Sequence, residues 1–128
     1  MNGPRVTVFT TLYNVAEYLP RFFECMSRQT YTEYILLIVD DGSEDSTLEI
    51  CRAYAERDPR VQIIHTEHRG LAPAKITAIA SLRTPLAVSV DGDDVYEPGY
   101  LEHLVNARDK YDADLVIARV AYRDENYK

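Results

Sequence analysis

Leu86-Ala87-Val88-Ser89-Val90-Asp91-Gly92-Asp93-Asp94 is the stretch that decides how this chain is read. Its first five residues form a mostly apolar run of strand length and read as a buried strand. Three carboxylates then crowd into four positions where that strand must end. Like charges this close repel and raise one another's pKa, so the cluster costs stability unless a cation sits among them. Gly92 lets the backbone bend tightly between Asp91 and Asp93. Hard carboxylate oxygens at such a turn suit Mg²⁺ or Mn²⁺ better than zinc. A solvated acidic turn that caps the next helix is the other reading of the same residues.

The elements on either side repeat one pattern. Val6 to Thr11 is rich in β-branched residues and predicts a first strand, ended by Thr11-Leu12-Tyr13-Asn14. Between Glu17 and Gln29, Leu19, Phe22, Phe23 and Met26 recur at helical spacing. Tyr34 to Val39 is almost continuously apolar, as a central parallel strand covered on both faces would be. Asp40-Asp41-Gly42-Ser43 closes it. Ser46 and Glu49 predict a capping box at the head of a second helix, which Asp58-Pro59 stops. Val61 to His65 reads as a third strand, followed by a polar loop from Thr66 to Gly70. A third helix begins near Leu71, with Pro73 in its first turn and Ala74, Ala78 and Leu82 on one face. After the acidic turn, Pro98 opens a fourth helix with Leu101, Leu104 and Val105. Asp114 to Tyr122 reads as a last strand, and a polar tail runs to Lys128.

Strands alternating with helices predict an α/β fold, a mostly parallel sheet with helices on both faces in three αβα layers. Ligands of such sheets bind outside the carboxyl ends of the strands. Thr11 to Asn14, Asp40 to Ser43, His68 to Gly70 and Asp91 to Asp94 all fall at that edge.

Composition narrows the function classes. The 128 residues suffice for one domain, and 46% hydrophobic content is that of a globular chain. A net charge of −7 argues against nucleic acid as the partner. An acidic protein that handles phosphates needs a metal between the two negative partners. Cys25 and Cys51, the only cysteines, read as small core residues in a reducing compartment, and so as a cytoplasmic protein. No signal region or membrane span is read from the sequence, although a longer parent chain could be membrane-associated. His65, His68 and His103 show no metal-ligand spacing.

Three motifs in order, Val6 to Asn14, Val39-Asp40-Asp41-Gly42-Ser43 with Asp45-Ser46-Thr47, and Val90-Asp91-Gly92-Asp93-Asp94 with Pro98, resemble the family 2 glycosyltransferases of the GT-A fold. The resemblance covers nearly the whole chain, residues 1–128, but only the nucleotide-sugar-binding portion of such an enzyme, with the acceptor half absent. It implies sugar transfer from a nucleoside-diphosphate sugar, favouring UDP, to an acceptor hydroxyl with inversion. It also implies roles. Thr11, Tyr13 and Asn14 would approach base and ribose. Asp41 would accept a hydrogen bond from the base ring N–H, and Asp40 would shape the loop. Asp91, Gly92 and Asp93 would form the D-x-D motif. Asp93 would bind Mn²⁺ or Mg²⁺ directly, and Asp91 would act on the ribose or through water. Where the family carries Ala-Arg-Asn near the diphosphate, this chain has Ala74-Lys75-Ile76, so Lys75 keeps the charge and loses the bidentate fork.

The resemblance places the catalytic base beyond Lys128, since none of Glu97, Glu102 or Asp124 sits in a matching motif. The chain is then expected to bind donor and to transfer sugar poorly. In the complete fold a later strand lies between the Leu86 and Asp114 strands. Its absence predicts an open sheet edge, met by a rearranged last strand or by a homodimer. Three other classes compete. A haloacid-dehalogenase-type phosphatase fits Asp91-Gly92-Asp93-Asp94 but needs more chain after it. A receiver domain fits the length, but lacks the Thr/Ser-ended and Lys-ended strands after Asp41. A non-catalytic nucleotide-binding or assembly module of a larger glycosyltransferase is the third.

Overall fold

The computed structural model describes residues 3–118. Four parallel strands, β1 (Val6–Leu12), β2 (Tyr34–Asp40), β3 (Val61–His65) and β4 (Leu86–Ser89), lie in the order β3-β2-β1-β4. Between and after them come α1 (Leu19–Ser27), α2 (Thr47–Arg57), α3 (Leu71–Ala80) and α4 (Tyr100–Tyr111), with a 3₁₀ turn at Ala16–Tyr18 leading into α1. The expected alternation of strand and helix is therefore present through α4. β2 sits centrally, in register with β1 from Val6↔Tyr34 to Leu12↔Asp40 and with β3 from Leu36↔Val61 to Asp40↔His65.

Strand alternation divides the core. Val6, Val8 and Leu12 of β1 and Leu36 and Ile38 of β2 pack with Leu19, Phe22, Phe23 and Met26 of α1, Cys51 of α2, and Leu101 and Val105 of α4. The opposite face, Leu37 and Val39 with Phe9 and Ile64, packs on Ala74 and Ala78 of α3. Two alanines one turn apart let α3 lie close to the strands, as their spacing predicts. Gln29 ties α1 to α4 on one face of the sheet. Its side-chain amide donates to the Cys25 and Glu97 carbonyls, and its amide oxygen accepts from the Leu101 N–H at the start of α4.

Three expectations need correction. β4 is not a buried strand. Ala87 and Ser89 are exposed and Leu86 and Val88 only partly buried, because β4 pairs with β1 alone and forms the sheet edge among the described residues. The Ser46 capping box is absent, as no side-chain bond from Ser46 caps α2. Asp45 accepts the Thr47 N–H at 2.9 Å in its place. Residues 114–118 of the expected last strand form no strand, and the rest of it, with the polar tail, lies outside the described residues.

Ala78→Leu should overpack the α3–sheet contact and destabilise the protein by about 1–3 kcal/mol. Urea unfolding should show this as a lower midpoint with an unchanged slope.

Candidate functional site

The chain leaves β1, β2 and β3 in one direction across the sheet and returns to place β4 on the other side of β1. The strand order therefore reverses beside β1, and a crevice opens outside the carboxyl ends of β1 and β4. Tyr13 and Asn14 follow β1 there, and Asp91 to Asp94 follow β4. The two ends approach closely. A Cβ on Gly92 would lie 2.6 Å from Leu12 Cδ2, so a larger residue would have to displace a buried leucine.

The β2 end is built from two buried acids. Asp40, the last residue of β2, is 0% exposed. Its carboxylate accepts from the Ser43 hydroxyl and amide and from His65 Nδ1 at 2.7 Å. Asp41 is 4% exposed and accepts the Arg69 and Gly70 amides, each at 3.0 Å, and His68 Nδ1 at 2.9 Å. Gly70 precedes α3, so Asp41, just after β2, bonds the entry to that helix and meets its positive dipole end. Burial alone would raise the Asp41 pKa. The two amides and His68 together outweigh it and hold the carboxyl below its ordinary value. Gly42 makes this packing possible, since it has φ +72° and a Cβ there would meet the His68 backbone nitrogen at 2.5 Å.

The β1 end is cross-tied to the same loop. Asn14 takes a left-handed conformation at φ +52°. Its side-chain oxygen accepts the Glu44 and Asp45 amides, and its own N–H donates to Ser43 Oγ. Asp45 also accepts the Ala16 amide, and Thr47 Oγ1 accepts that of Val15. The Tyr13 ring stacks on His68 at 4.0 Å between centroids and 19° between planes. Tyr13, Asn14, Asp40 and Asp41 are thus one connected patch. Thr11 lies half-buried in β1 opposite Val39. Lys75 is exposed on α3 and makes no hydrogen bond or ion pair among the described residues.

At the acidic turn, the Tyr96 hydroxyl receives the Asp91 N–H at 2.7 Å and donates to the Asp91 carbonyl at 3.3 Å. Tyr96 leans on Tyr100, 4.9 Å between centroids. Asp91, Asp93 and Asp94 are exposed, and no ion pair reaches them among the described residues. Crowding at the carboxyl end of Asp94 raises its pKa, first by loss of water and then by the charges of Asp93 and Asp91. No group of three or more side chains gathered to hold a metal is found among the described residues. Mg²⁺-type ions commonly take one or two protein carboxylates and complete their shell with phosphate oxygens and water. The turn therefore fits a cation that arrives with a diphosphate better than one held by protein alone. A groove of about 1060 Å³ runs from this turn along β4 past Tyr96, Tyr100 and His103.

Sequence reading placed His68 at this sheet edge and Asp45 within a motif, but gave neither of them, nor His65, a partner or a role. His65 closes β3 and His68 stands in the polar segment after it, but their partners are 25 and 27 residues away. Only the pairing of β2 with β3 brings them together.

Comparison with known proteins follows the same lines. The model of the family described as "Glycosyl transferase family 2" matches residues 7–128. The glycosyltransferase GlyG of Streptococcus pneumoniae serotype 4 is 34% identical over 122 residues, covering 94% of this chain and 40% of GlyG. Staphylococcus aureus TarS 1-349 in complex with UDP superposes with a TM-score of 0.79 at 22% identity, over 86% of this chain and 33% of that one. The mannosyltransferase PcManGT of Pyrobaculum calidifontis, in complex with GDP-Man and Mn²⁺, gives a TM-score of 0.67 at 30% identity, over 75% of this chain and 29% of that one. The chain thus spans well under half the length of these relatives.

Asp41→Asn should lower stability at neutral pH and flatten its pH dependence. The folded pKa of Asp41 is depressed, so its contribution is present above the ordinary Asp value of 3.8 and lost as pH falls through the folded value. Thermal melts between about pH 6 and pH 2 should show the variant losing less than the parent on acidification.

Proposed function

The chain belongs to glycosyl transferase family 2, and from that premise we propose that it carries the donor site of an enzyme moving a sugar from a nucleoside-diphosphate sugar, preferably a UDP-sugar, to an acceptor hydroxyl with inversion. One observation carries the proposal. Tyr13, the buried Asp41 and the Asp91–Asp94 turn stand at one end of one parallel sheet, around the reversal in strand order. A flat ring, a buried hydrogen-bond acceptor and a cluster of hard oxygens are the groups needed for a base, its N–H and a metal-bound diphosphate. PcManGT, at 30% identity, is solved with a nucleotide sugar and Mn²⁺, which supports that class of donor.

In this reading Thr11, Tyr13 and Asn14 line the base and ribose, and Asp41 accepts the base N–H. A buried polar group left without its partner costs about 1–3 kcal/mol, enough to select one base over another. Asp40 acts at one remove, fixing the loop through Ser43 and His65. Asp93 holds a Mn²⁺ or Mg²⁺ ion, Asp91 contacts the ribose or the ion through water, and Gly92 lets the turn pass Leu12. Lys75 faces the diphosphate. The bound cation supplies Lewis-acid stabilisation to the departing diphosphate, worth several kcal/mol in metal-assisted transfers. Tyr96 holds the Asp91 backbone so that the carboxylates need not reorganise during the reaction. The base that deprotonates the acceptor is assigned to a carboxylate outside these 128 residues. Glu102, for example, is engaged with the Thr30 hydroxyl at 2.7 Å.

Calorimetric titration of UDP and of GDP, with and without Mn²⁺, tests the assignment. UDP should bind in the presence of Mn²⁺, and Asp93→Ala or omission of the cation should weaken it roughly tenfold or more. Binding indifferent to both changes would contradict the metal role. Absence of nucleotide binding would leave the assembly-module reading in its place. Sugar transfer by the 128-residue chain alone would contradict a base located elsewhere.

A further inference from the structure

We infer that the imidazole of His68 occupies the nucleobase position of the donor site and must swing out for a nucleotide to bind. The inference rests on the donor-site reading and adds a gate to it. The His68 ring makes the two contacts that reading assigns to the base. It stacks on Tyr13 at 4.0 Å and 19°, a near-parallel overlap of two flat rings. Its Nδ1 lies 2.9 Å from Asp41 Oδ2 and 3.2 Å from the Asp41 carbonyl oxygen. Both neighbours are acceptors, so Nδ1 carries the proton and donates, as a base ring N–H would.

The accessibility of Asp41 turns this likeness into competition. The Asp41 side chain is 5% exposed. Oδ2 is shared between the Gly70 amide and His68, while Oδ1 takes the Arg69 amide. The two amides belong to the backbone that leads into α3 and cannot withdraw without moving the start of that helix. The imidazole is the removable partner, since its side chain is 53% exposed and hangs from the loop after β3. Its departure would free one acceptor site on Oδ2 and one face of Tyr13 together. A base entering there would exchange one stack and one hydrogen bond for another of each kind. Apparent affinity is then reduced by the fraction of molecules in which the imidazole is seated.

The test compares UDP titrations, with Mn²⁺ present, into the parent and His68→Ala chains, with the His68 ring followed by NMR in the parent. Removal of the imidazole should tighten UDP binding about tenfold, corresponding to a site seated about nine-tenths of the time. Saturating UDP should move the His68 ring signals of the parent toward those of a solvent-exposed histidine. Weaker or unchanged binding by His68→Ala, or ring signals that stay put while UDP binds, overturns the gate and leaves the donor site standing. Failure of both proteins to bind UDP or GDP overturns the donor-site reading and the gate with it.

Discussion

Two neighbouring carboxylates at the end of β2, both buried, hold this end of the molecule together. Asp40 and Asp41 are 0% and 4% exposed, and they bond the last residue of β3 and the segment that follows it, respectively. Buried acids of this kind are tolerated only when fully hydrogen-bonded, and these two are met by Ser43, His65, His68, Arg69 and Gly70. That requirement fixes the loop after β3, the start of α3 and, through Ser43 and Asn14, the exit from β1. One set of bonds thus serves both the fold and the geometry of the proposed base pocket.

The acidic turn follows the opposite logic. Its three carboxylates are exposed, without ion pairs among the described residues, and close enough for Asp94 to be pushed up by its surroundings and its neighbours. Tyr96 steadies the backbone there but leaves the charge uncompensated. The buried acids are held by bonds that also shape the fold, whereas the exposed ones carry charge that no protein cation offsets among the described residues. Tolerated repulsion of this kind is a common mark of a functional site.

Much of this was legible in the sequence because it depends on local pattern. Apolar runs ended by polar clusters located the four strands of the described residues, and Ala74 and Ala78 marked the close face of α3. Misreadings arose where distant partners decide. The run Leu86 to Val90 is apolar enough for a buried strand, yet among the described residues β4 has β1 alone as its neighbour. Ser46 has the right spacing for a capping box, but Asp45 also reaches the Ala16 amide across 29 residues and takes the position. Asn14, expected near base and ribose, also bonds Ser43, Glu44 and Asp45 of another loop, ties that its local sequence does not announce. His68 carried no spacing signal, because its meaning lies in Tyr13 and Asp41, brought to it by the pairing of β2 with β1 and β3.

The central claim is that both ends of one nucleoside diphosphate sit at this sheet edge, the base by Tyr13 and the phosphates by Asp93. Paramagnetic broadening of amide NMR signals by a substoichiometric Mn²⁺–UDP complex tests it most directly. The account predicts strongest broadening at Asp91 to Asp94, with shifts but less broadening at Tyr13, Arg69 and Gly70. Broadening centred elsewhere, or spread evenly over the acidic surface, would contradict it.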